Sequence, residues 1–170
     1  MQLVEIKPLS SVESPQVEAV LDAAFGADRH GRTAYRVREG VSALSALSFA
    51  AFHDGRLVGT LQSWPVMLVA DDGASHPLVM VGPVAVIPVA QAMGVGRSLM
   101  RSLLSAADTD ANAALMMIGD PGYYGRFFGF TAVATGGWEL PGPLERNRLL
   151  ARGVGAHLPP ACQGRIVPQR

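Results

Sequence analysis

The sequence of 170 residues predicts an α/β fold with a mixed central sheet of about six to seven strands. The first indication is a nearly continuous apolar run, Leu78–Ile87, which is typical of a strand buried on both faces. An amphipathic helix and a second buried run, Ala113–Gly119, follow it, and this order predicts two parallel strands joined by a crossover helix. The third indication is an earlier hairpin, because Asp54-Gly55 is a strong two-residue turn signal between apolar runs.

The N-terminal third is predicted to form one strand and two helices. Alternation over Leu3–Lys7 indicates the first strand, and Ser14-Pro15 is typical of a helix start, with Gly26 as its stop. The apolar face of that helix comprises Val17, Val20, Leu21, Ala24 and Phe25. A second, short helix is predicted over Arg32–Arg38 within a basic segment.

The hairpin consists of predicted strands over Leu47–His53 and Arg56–Val69. Gly59 and Pro65 are expected to interrupt the second strand, which should bend or end at an edge there. A further turn at Asp71–Gly73 leads into the Leu78 strand, so three antiparallel strands precede the glycine-containing turn and the fourth leads into its helix.

The turn after Leu78–Ile87 predicts an anion site. Pro88 ends the apolar run, and a helix begins near Gly94 with its apolar stripe at Val95, Leu99, Met100, Leu103, Leu104 and Ala107. Amides at a helix start are free to bind phosphate, and glycines allow its close approach. The dinucleotide fingerprint fits poorly because Leu99 occupies its third glycine position, and the nucleotide-triphosphate loop lacks its lysine.

The region after the second buried strand contains a further short helix. Asp120 and Pro121 supply its N-cap and first turn, Gly129 stops it, and a strand is expected over Phe130–Val133. The tail has three weaker patterns: a strand over Trp138–Leu140, a short helix over Leu144–Arg152 and a closing strand over Arg165–Val167.

Two motifs together resemble the GCN5-related N-acetyltransferases (GNAT). The first is Gln91-Ala92-Met93-Gly94-Val95-Gly96, preceded by Val86-Ile87-Pro88. The second is Gly119-Asp120-Pro121-Gly122-Tyr123-Tyr124, which is similar to the fourth-helix region of one branch of that family. The resemblance covers Val84–Phe130 well and the N-terminal half by strand order.

The resemblance implies a sheet whose parallel pair is splayed after the third antiparallel strand, with helices on both faces. It also implies acetyl-CoA as co-substrate. Backbone groups of Val84, Ala85 and Val86 would bind the pantetheine arm and the thioester carbonyl. The residues implied to bind the pyrophosphate are Gln91, Ala92, Met93, Gly94, Val95, Gly96 and Arg97.

The resemblance further implies a tyrosine that protonates the departing thiolate. Counting forward from Gly119 favours Tyr124, with Tyr123 as the second candidate, whereas an extra phenylalanine disturbs the count back from Gly129. No pattern identifies the general base: His30, Glu39, Asp120 and bulk water stay open. Tyr35, with His30 and Glu39, is a candidate for acceptor binding, because the segment after the first strand often borders that site in the family.

Composition excludes several classes of protein. Fourteen basic and fourteen acidic residues balance, so neither a nucleic-acid nor a membrane-surface partner is expected. The sequence has no signal-peptide pattern and no apolar run long enough for a transmembrane helix. One cysteine, Cys162, fits a reducing cytoplasm, and the scattered histidines give no support for a metal site.

The sequence therefore predicts one acetyltransferase-like domain over residues 1–170, acting on a primary amine of a small molecule. Two alternatives remain open: a protein or peptide N-acetyltransferase, and a non-catalytic acyl-CoA-binding module. A homodimer is also open, because edge strands in the tail could pair between chains.

Overall fold

The computed structural model describes residues 3–169. Contacts within the chain divide it into two compact units. The first unit comprises the described part of Met1–His30 together with Ala43–Ser63 and Pro83–Asp110. The second comprises Gly31–Ser42, Trp64–Gly82 and the described part of Ala111–Arg170.

Within residues 3–169 the chain forms eight strands and four α-helices. The strands are β1 (Glu5–Pro8), β2 (Phe49–His53), β3 (Arg56–Ala70), β4 (Ser75–Val86), β5 (Ala114–Ile118), β6 (Trp138–Glu139), β7 (Leu149–Arg152) and β8 (Gly164–Pro168). The α-helices are α1 (Ser14–Phe25), α2 (Thr33–Val37), α3 (Val95–Asp110) and α4 (Pro121–Phe128). Short 3-10 helices occupy Leu9–Ser11, Arg29–Gly31, Ser45–Leu47, Pro88–Met93 and Arg146–Arg148.

The strands join one mixed sheet in the order β1-β2-β3-β4-β5-β7, while β8 pairs with β3 and β6 pairs with β8. β4 and β5 are parallel, as the crossover helix between them predicts. The predicted α/β class with a mixed sheet is confirmed. The described sheet has eight strands rather than six or seven, because three short strands of the tail all join it.

In the first unit, β1, β2 and the start of β3 form antiparallel ladders. The register of β2 with β3 shifts between Ala51, which faces Gly59, and Phe52, which faces Leu57. Helix α3 contacts β2 and β1. Helix α1 has the predicted bounds and buries Val17, Val20 and Leu21, so the apolar stripe identified its inner face.

The long strand β3 has three neighbours in the sheet: β2, β4 and β8. β2 pairs with it as far as Leu61, and β8 pairs with Val66–Ala70. Pro65 lies outside the β2 and β8 registers, so neither of these two ladders requires the N–H that proline lacks. The prediction that the strand ends at Pro65 is wrong, because β3 runs continuously through it.

In the second unit, a buried apolar cluster lies between the strands and α2. Its largest member is Trp138, which is fully buried and donates its indole N–H to the carbonyl of Pro160 at 3.0 Å. Helix α2 occupies the predicted Arg32–Arg38 segment and is tied to the tail by Thr33, whose hydroxyl donates to the carbonyl of Pro143 at 2.6 Å. The cluster contains Val37, Val66, Leu68, Leu78, Met80, Ala114, Met116, Trp138, Leu149, Ala151 and Ile166.

Two predictions for the C-terminal third are wrong. Phe130–Val133 forms no strand, because the amide of Phe130 donates to the carbonyl of Tyr124 and so caps α4. Only an isolated bridge, Thr131 to Ala151, is described there. The end of the predicted helix over Leu144–Arg152 is instead strand β7, which is buried and pairs with β5.

Candidate active site

The glycine-containing turn of the first unit links β4 to α3. Pro88–Met93 form a 3-10 helix, and Gly94 then adopts a left-handed conformation with φ 75° and ψ 18°. Glycine accepts this conformation without strain, and α3 starts at the next residue, Val95. Since the first amides of an α-helix have no carbonyl partner within the helix, this start presents donors to an anion.

The side chains of the turn differ in exposure. Gln91, Ala92, Met93, Gly94 and Arg97 are exposed, and Gly96 is half-buried. Val95 is buried and anchors the start of α3 in the core. Gln91 also donates from Nε2 to the carbonyl of Val86 at 3.4 Å, so its side chain returns to the end of β4. Most of the turn is thus exposed to solvent.

Gly59 allows α3 and β4 to approach β3 closely. A Cβ atom at Gly59 would lie 2.7 Å from Cγ1 of Val95 and 3.0 Å from the carbonyl oxygen of Ala85. Sequence reasoning assigned Gly59 to an interruption of the strand and missed this role. The available signal was a glycine inside a strand, which often marks close approach of another element.

The backbone proposed for the thioester belongs to the end of β4. Val84 and Val86 are half-buried and Ala85 is fully buried. Gly82 precedes this segment with φ 130°, a value that interrupts the regular extended strand. The parallel pairing of β4 with β5 covers only Leu78–Met80 of β4, which agrees with the splayed pair that the resemblance implies.

Tyr124 lies on the short helix α4 of the second unit. Asp120 caps this helix as predicted, since its carboxylate accepts from the amide of Gly122 at 2.9 Å. The Tyr124 ring packs against Gly119, where a Cβ atom would lie only 2.7 Å from two ring carbons. Tyr123 and Phe130 flank the same ring, with centroids at 4.9 and 6.5 Å.

Burial, followed by the neighbouring Tyr123, raises the pKa of Tyr124 from 10.0 to about 12. Burial acts in this direction because it disfavours the charged phenolate. The hydroxyl therefore stays protonated at any physiological pH and has a proton to give. Tyr123 packs differently: its ring lies edge-on to Phe127 and Phe128, with centroids at 5.5 and 5.8 Å.

The three predicted acceptor residues have different surroundings. His30 is exposed in the 3-10 helix that follows α1, and Glu39 is exposed after α2. Tyr35 is half-buried, and the guanidinium of Arg38 lies 3.9 Å from its ring centroid. The same guanidinium lies 4.1 Å from the ring of Trp64. Sequence reasoning assigned no site role to Arg38 or Trp64, because residues 26 positions apart give no local pattern.

Two features are absent from residues 3–169. No helix among them is long and apolar enough to cross a bilayer. The same residues contain no group of three or more His, Cys, Asp or Glu side chains that could hold a metal ion.

Solved structures of similar fold include two acetyltransferases. One is the GNAT family N-acetyltransferase YhbS from Escherichia coli in complex with CoA, which is 23% identical with a TM-score of 0.72 over 99% of this chain and 89% of that one. Another is a GNAT family acetyltransferase from Brucella melitensis in complex with acetyl-CoA, which is 24% identical with a TM-score of 0.68 over 99% of this chain and 97% of that one. These likenesses show the fold. A search of curated proteins found no match.

A protein family, and not only a fold, is identified by the sequence of residues 5–133. Residues 5–133 match the family described as "Acetyltransferase (GNAT) domain". This match includes the glycine-containing turn, the crossover helix α3 and all of α4. Because it spans well over half of the 170 residues, the chain belongs to the GNAT family of acetyltransferases.

Proposed function

We propose that this acetyltransferase moves the acetyl group of acetyl-CoA to a primary amine of a small molecule, by direct attack in a ternary complex. We also assign it to the branch with the Gly-Asp-Pro-x-Tyr-Tyr motif at residues 119–124. The observation that carries the proposal is the left-handed Gly94 between a short 3-10 helix and α3, because this geometry turns helix-start amides towards an anion.

Binding is divided between two backbone segments. Amides of residues 92–97 hold the pyrophosphate, and the exposed guanidinium of Arg97 adds charge-assisted hydrogen bonds. Backbone groups of Val84–Val86 hold the pantetheine arm. One amide of this segment donates to the thioester oxygen as negative charge develops on it, which lowers the barrier to attack.

The transfer needs one proton to enter and one to leave. The amine nitrogen attacks the thioester carbonyl carbon, a C–N bond forms and the C–S bond breaks. Tyr124 gives its hydroxyl proton to the departing thiolate, and the excess proton on the new amide nitrogen leaves to a base or to water. With a pKa of about 12, Tyr124 carries this proton at neutral pH, as an unperturbed tyrosine also would.

The base is assigned to His30, Glu39 or bulk water. His30 and Glu39 are exposed and so can exchange protons with solvent. Asp120 is the weaker candidate, because its carboxylate already accepts the amide of Gly122 at the start of α4.

Calorimetric titration with acetyl-CoA, with CoA and NAD as controls, is the first test. The proposal predicts binding of both CoA species and not of NAD. An acceptor screen then compares small amines with lysine-containing peptides and with peptides bearing free N-termini. Turnover of peptides alone would establish the protein N-acetyltransferase alternative. Binding without turnover of any amine would establish the acyl-CoA-binding module.

Tyr124→Phe tests the assignment of the acid. We expect kcat to fall by roughly 10²–10⁴-fold while the affinity for acetyl-CoA is kept, because only the proton donor is removed. Tyr123→Phe is the matched control, since it deletes the adjacent hydroxyl from an equally sized ring, and its kcat should stay near that of the wild type. If the two variants exchange these results, Tyr123 is the acid.

A further inference from the structure

A hydrogen bond from an indole holds the irregular point of β4. The Nε1–H of Trp64 donates to the carbonyl of Gly82 at 2.7 Å. Gly82 has φ 130°, a conformation that other residues rarely adopt, so the strand departs from regular geometry at the residue whose carbonyl the indole binds. The two residues are 18 positions apart on the β3–β4 hairpin.

The indole itself is held on two sides. The guanidinium of Arg38 lies over the Trp64 ring, 4.1 Å from its centroid, and also over the ring of Tyr35. Arg38 is only 8% exposed, so this stack excludes most water and the cation–π attraction is strengthened. Trp64 also packs against the buried apolar cluster of the second unit. The position of its N–H is therefore well defined.

The hydrogen bond from Trp64 to the Gly82 carbonyl also affects the backbone that follows Gly82. The carbonyl of Gly82 and the nitrogen of Pro83 belong to one planar peptide group. The ring of Pro83 then restricts its φ to about −65°. The hydrogen bond to the Gly82 carbonyl thus constrains the direction in which the backbone continues into Val84–Val86.

We propose that Trp64 is a positioning residue for the acetyl-CoA arm: by holding the Gly82 carbonyl it orients the backbone of Val84–Val86 towards the pantetheine and the thioester. The inference rests on the proposed function, because it assumes that Val84–Val86 bind this part of acetyl-CoA. Trp64 touches no reacting atom in this scheme and acts through the peptide group that it holds.

Trp64→Phe tests the inference, because phenylalanine keeps an aromatic ring for Arg38 and removes the N–H. Two ligands are compared: acetyl-CoA, and 3′-phosphoadenosine 5′-diphosphate, which has the pyrophosphate without the arm. We expect the Kd of acetyl-CoA to rise roughly five- to tenfold while that of the shorter ligand is unchanged. Equal weakening of both ligands, or no weakening of either, would overturn the inference.

Trp138→Phe is the matched control. It deletes an indole N–H that also donates to a backbone carbonyl, that of Pro160, but in the tail of the chain. We expect a lower melting temperature and an unchanged ratio of the two affinities. A change of that ratio as large as the one in Trp64→Phe would show that lost stability alone produces the effect, and the inference would fail.

A spectroscopic measurement on the wild type avoids any loss of folding. The chain has two tryptophans, so its ¹H–¹⁵N spectrum contains two indole signals, and Trp64→Phe assigns one of them. Saturation with acetyl-CoA should shift the Trp64 signal, whereas 3′-phosphoadenosine 5′-diphosphate should leave it in place. An unmoved Trp64 signal in acetyl-CoA-saturated protein would contradict the inference. If the wild type binds neither ligand, the proposed function itself has failed.

Discussion

The contact between Gly119 and Tyr124 determines where the proposed proton donor is held. Gly119 follows β5 and its amide donates to the carbonyl of Arg148 at 2.9 Å, so its backbone is fixed. The tyrosine ring occupies the space that a side chain at 119 would need. The Tyr124 ring packs directly on the backbone of Gly119. Glycine is required there because it has no side chain, and not because of its φ.

Gly119→Ala should therefore displace the Tyr124 ring. A Cβ atom 2.7 Å from Cδ2 and Cε2 cannot be accommodated without movement, and a shift of about 1 Å can reduce kcat by roughly 10²-fold. Steady-state kinetics would measure the loss, with acetyl-CoA affinity unchanged. Gly136→Ala is the control, because its Cβ meets nothing within 4 Å.

A double variant shows whether Gly119 acts through the hydroxyl. In the Tyr124→Phe background the proton donor is already absent, so adding Gly119→Ala should reduce kcat no further. If the two reductions multiply, Gly119 affects the reaction by a route other than Tyr124.

The pKa of about 12 for Tyr124 predicts its effect on stability in alkali. The folded state holds this proton more tightly than the unfolded chain, whose pKa is near 10.0. The associated stability is fully present below pH 10 and is lost as pH rises towards 12, by about 2–3 kcal/mol. Urea unfolding at pH 9 and pH 11 measures about half of this loss, because pH 11 lies midway between the two pKa values, and Tyr124→Phe should lose less. Equal losses would mean that Tyr124 titrates normally.

At the scale of elements, the contact of α3 and β4 with β3 supports the pyrophosphate turn. The amide of Ile87 donates to the carbonyl of Val58 at 3.0 Å, directly beside Gly59. Val95, the first residue of α3, fills the space above that glycine. The start of the helix is therefore positioned by the sheet beneath it as well as by Gly94.

Gly59→Ala should affect both stability and binding. The new Cβ would press on Val95 and on the backbone of Ala85, and overpacking of this kind costs about 1–3 kcal/mol. Urea unfolding should show this loss, and calorimetry should show weaker acetyl-CoA binding, because both displaced residues belong to the proposed site. If Gly59→Ala is destabilised but binds acetyl-CoA with normal affinity, the packing at Gly59 supports stability and not the binding site.

For the whole molecule, local signals predicted most elements and non-local contacts explain the failures. The ends of α1 were predicted from Ser14-Pro15 and Gly26, and those of α4 from Asp120 and Gly129. Helix ends can be predicted in this way because the capping residues are adjacent to the helix in the sequence. β7 was predicted as helix because its pairing with β5 lies more than 30 positions away. In β7, burial in the folded protein outweighed the helical propensity of the local sequence.

In the candidate site, too, the local features were predictable from the sequence and the non-local contacts were not. The spacing of Gln91, Gly94 and Gly96 predicted the turn, because all of its geometry lies within one short segment. The cluster of Arg38, Trp64 and Gly82 could not be predicted, since the sheet and α2 bring these residues together from separate parts of the sequence.

The pairing of β3 with the distant strand β8 has a consequence for synthesis on the ribosome. β2 and β4 lie close to β3 in the sequence, but β8 follows it by roughly a hundred residues, so Val66–Ala70 emerge long before this partner exists. At typical elongation rates of about 5–20 residues per second, this apolar edge waits roughly 5–20 s. During that interval it can pair with other nascent chains, and a chaperone that binds short apolar segments would protect the emerging protein there.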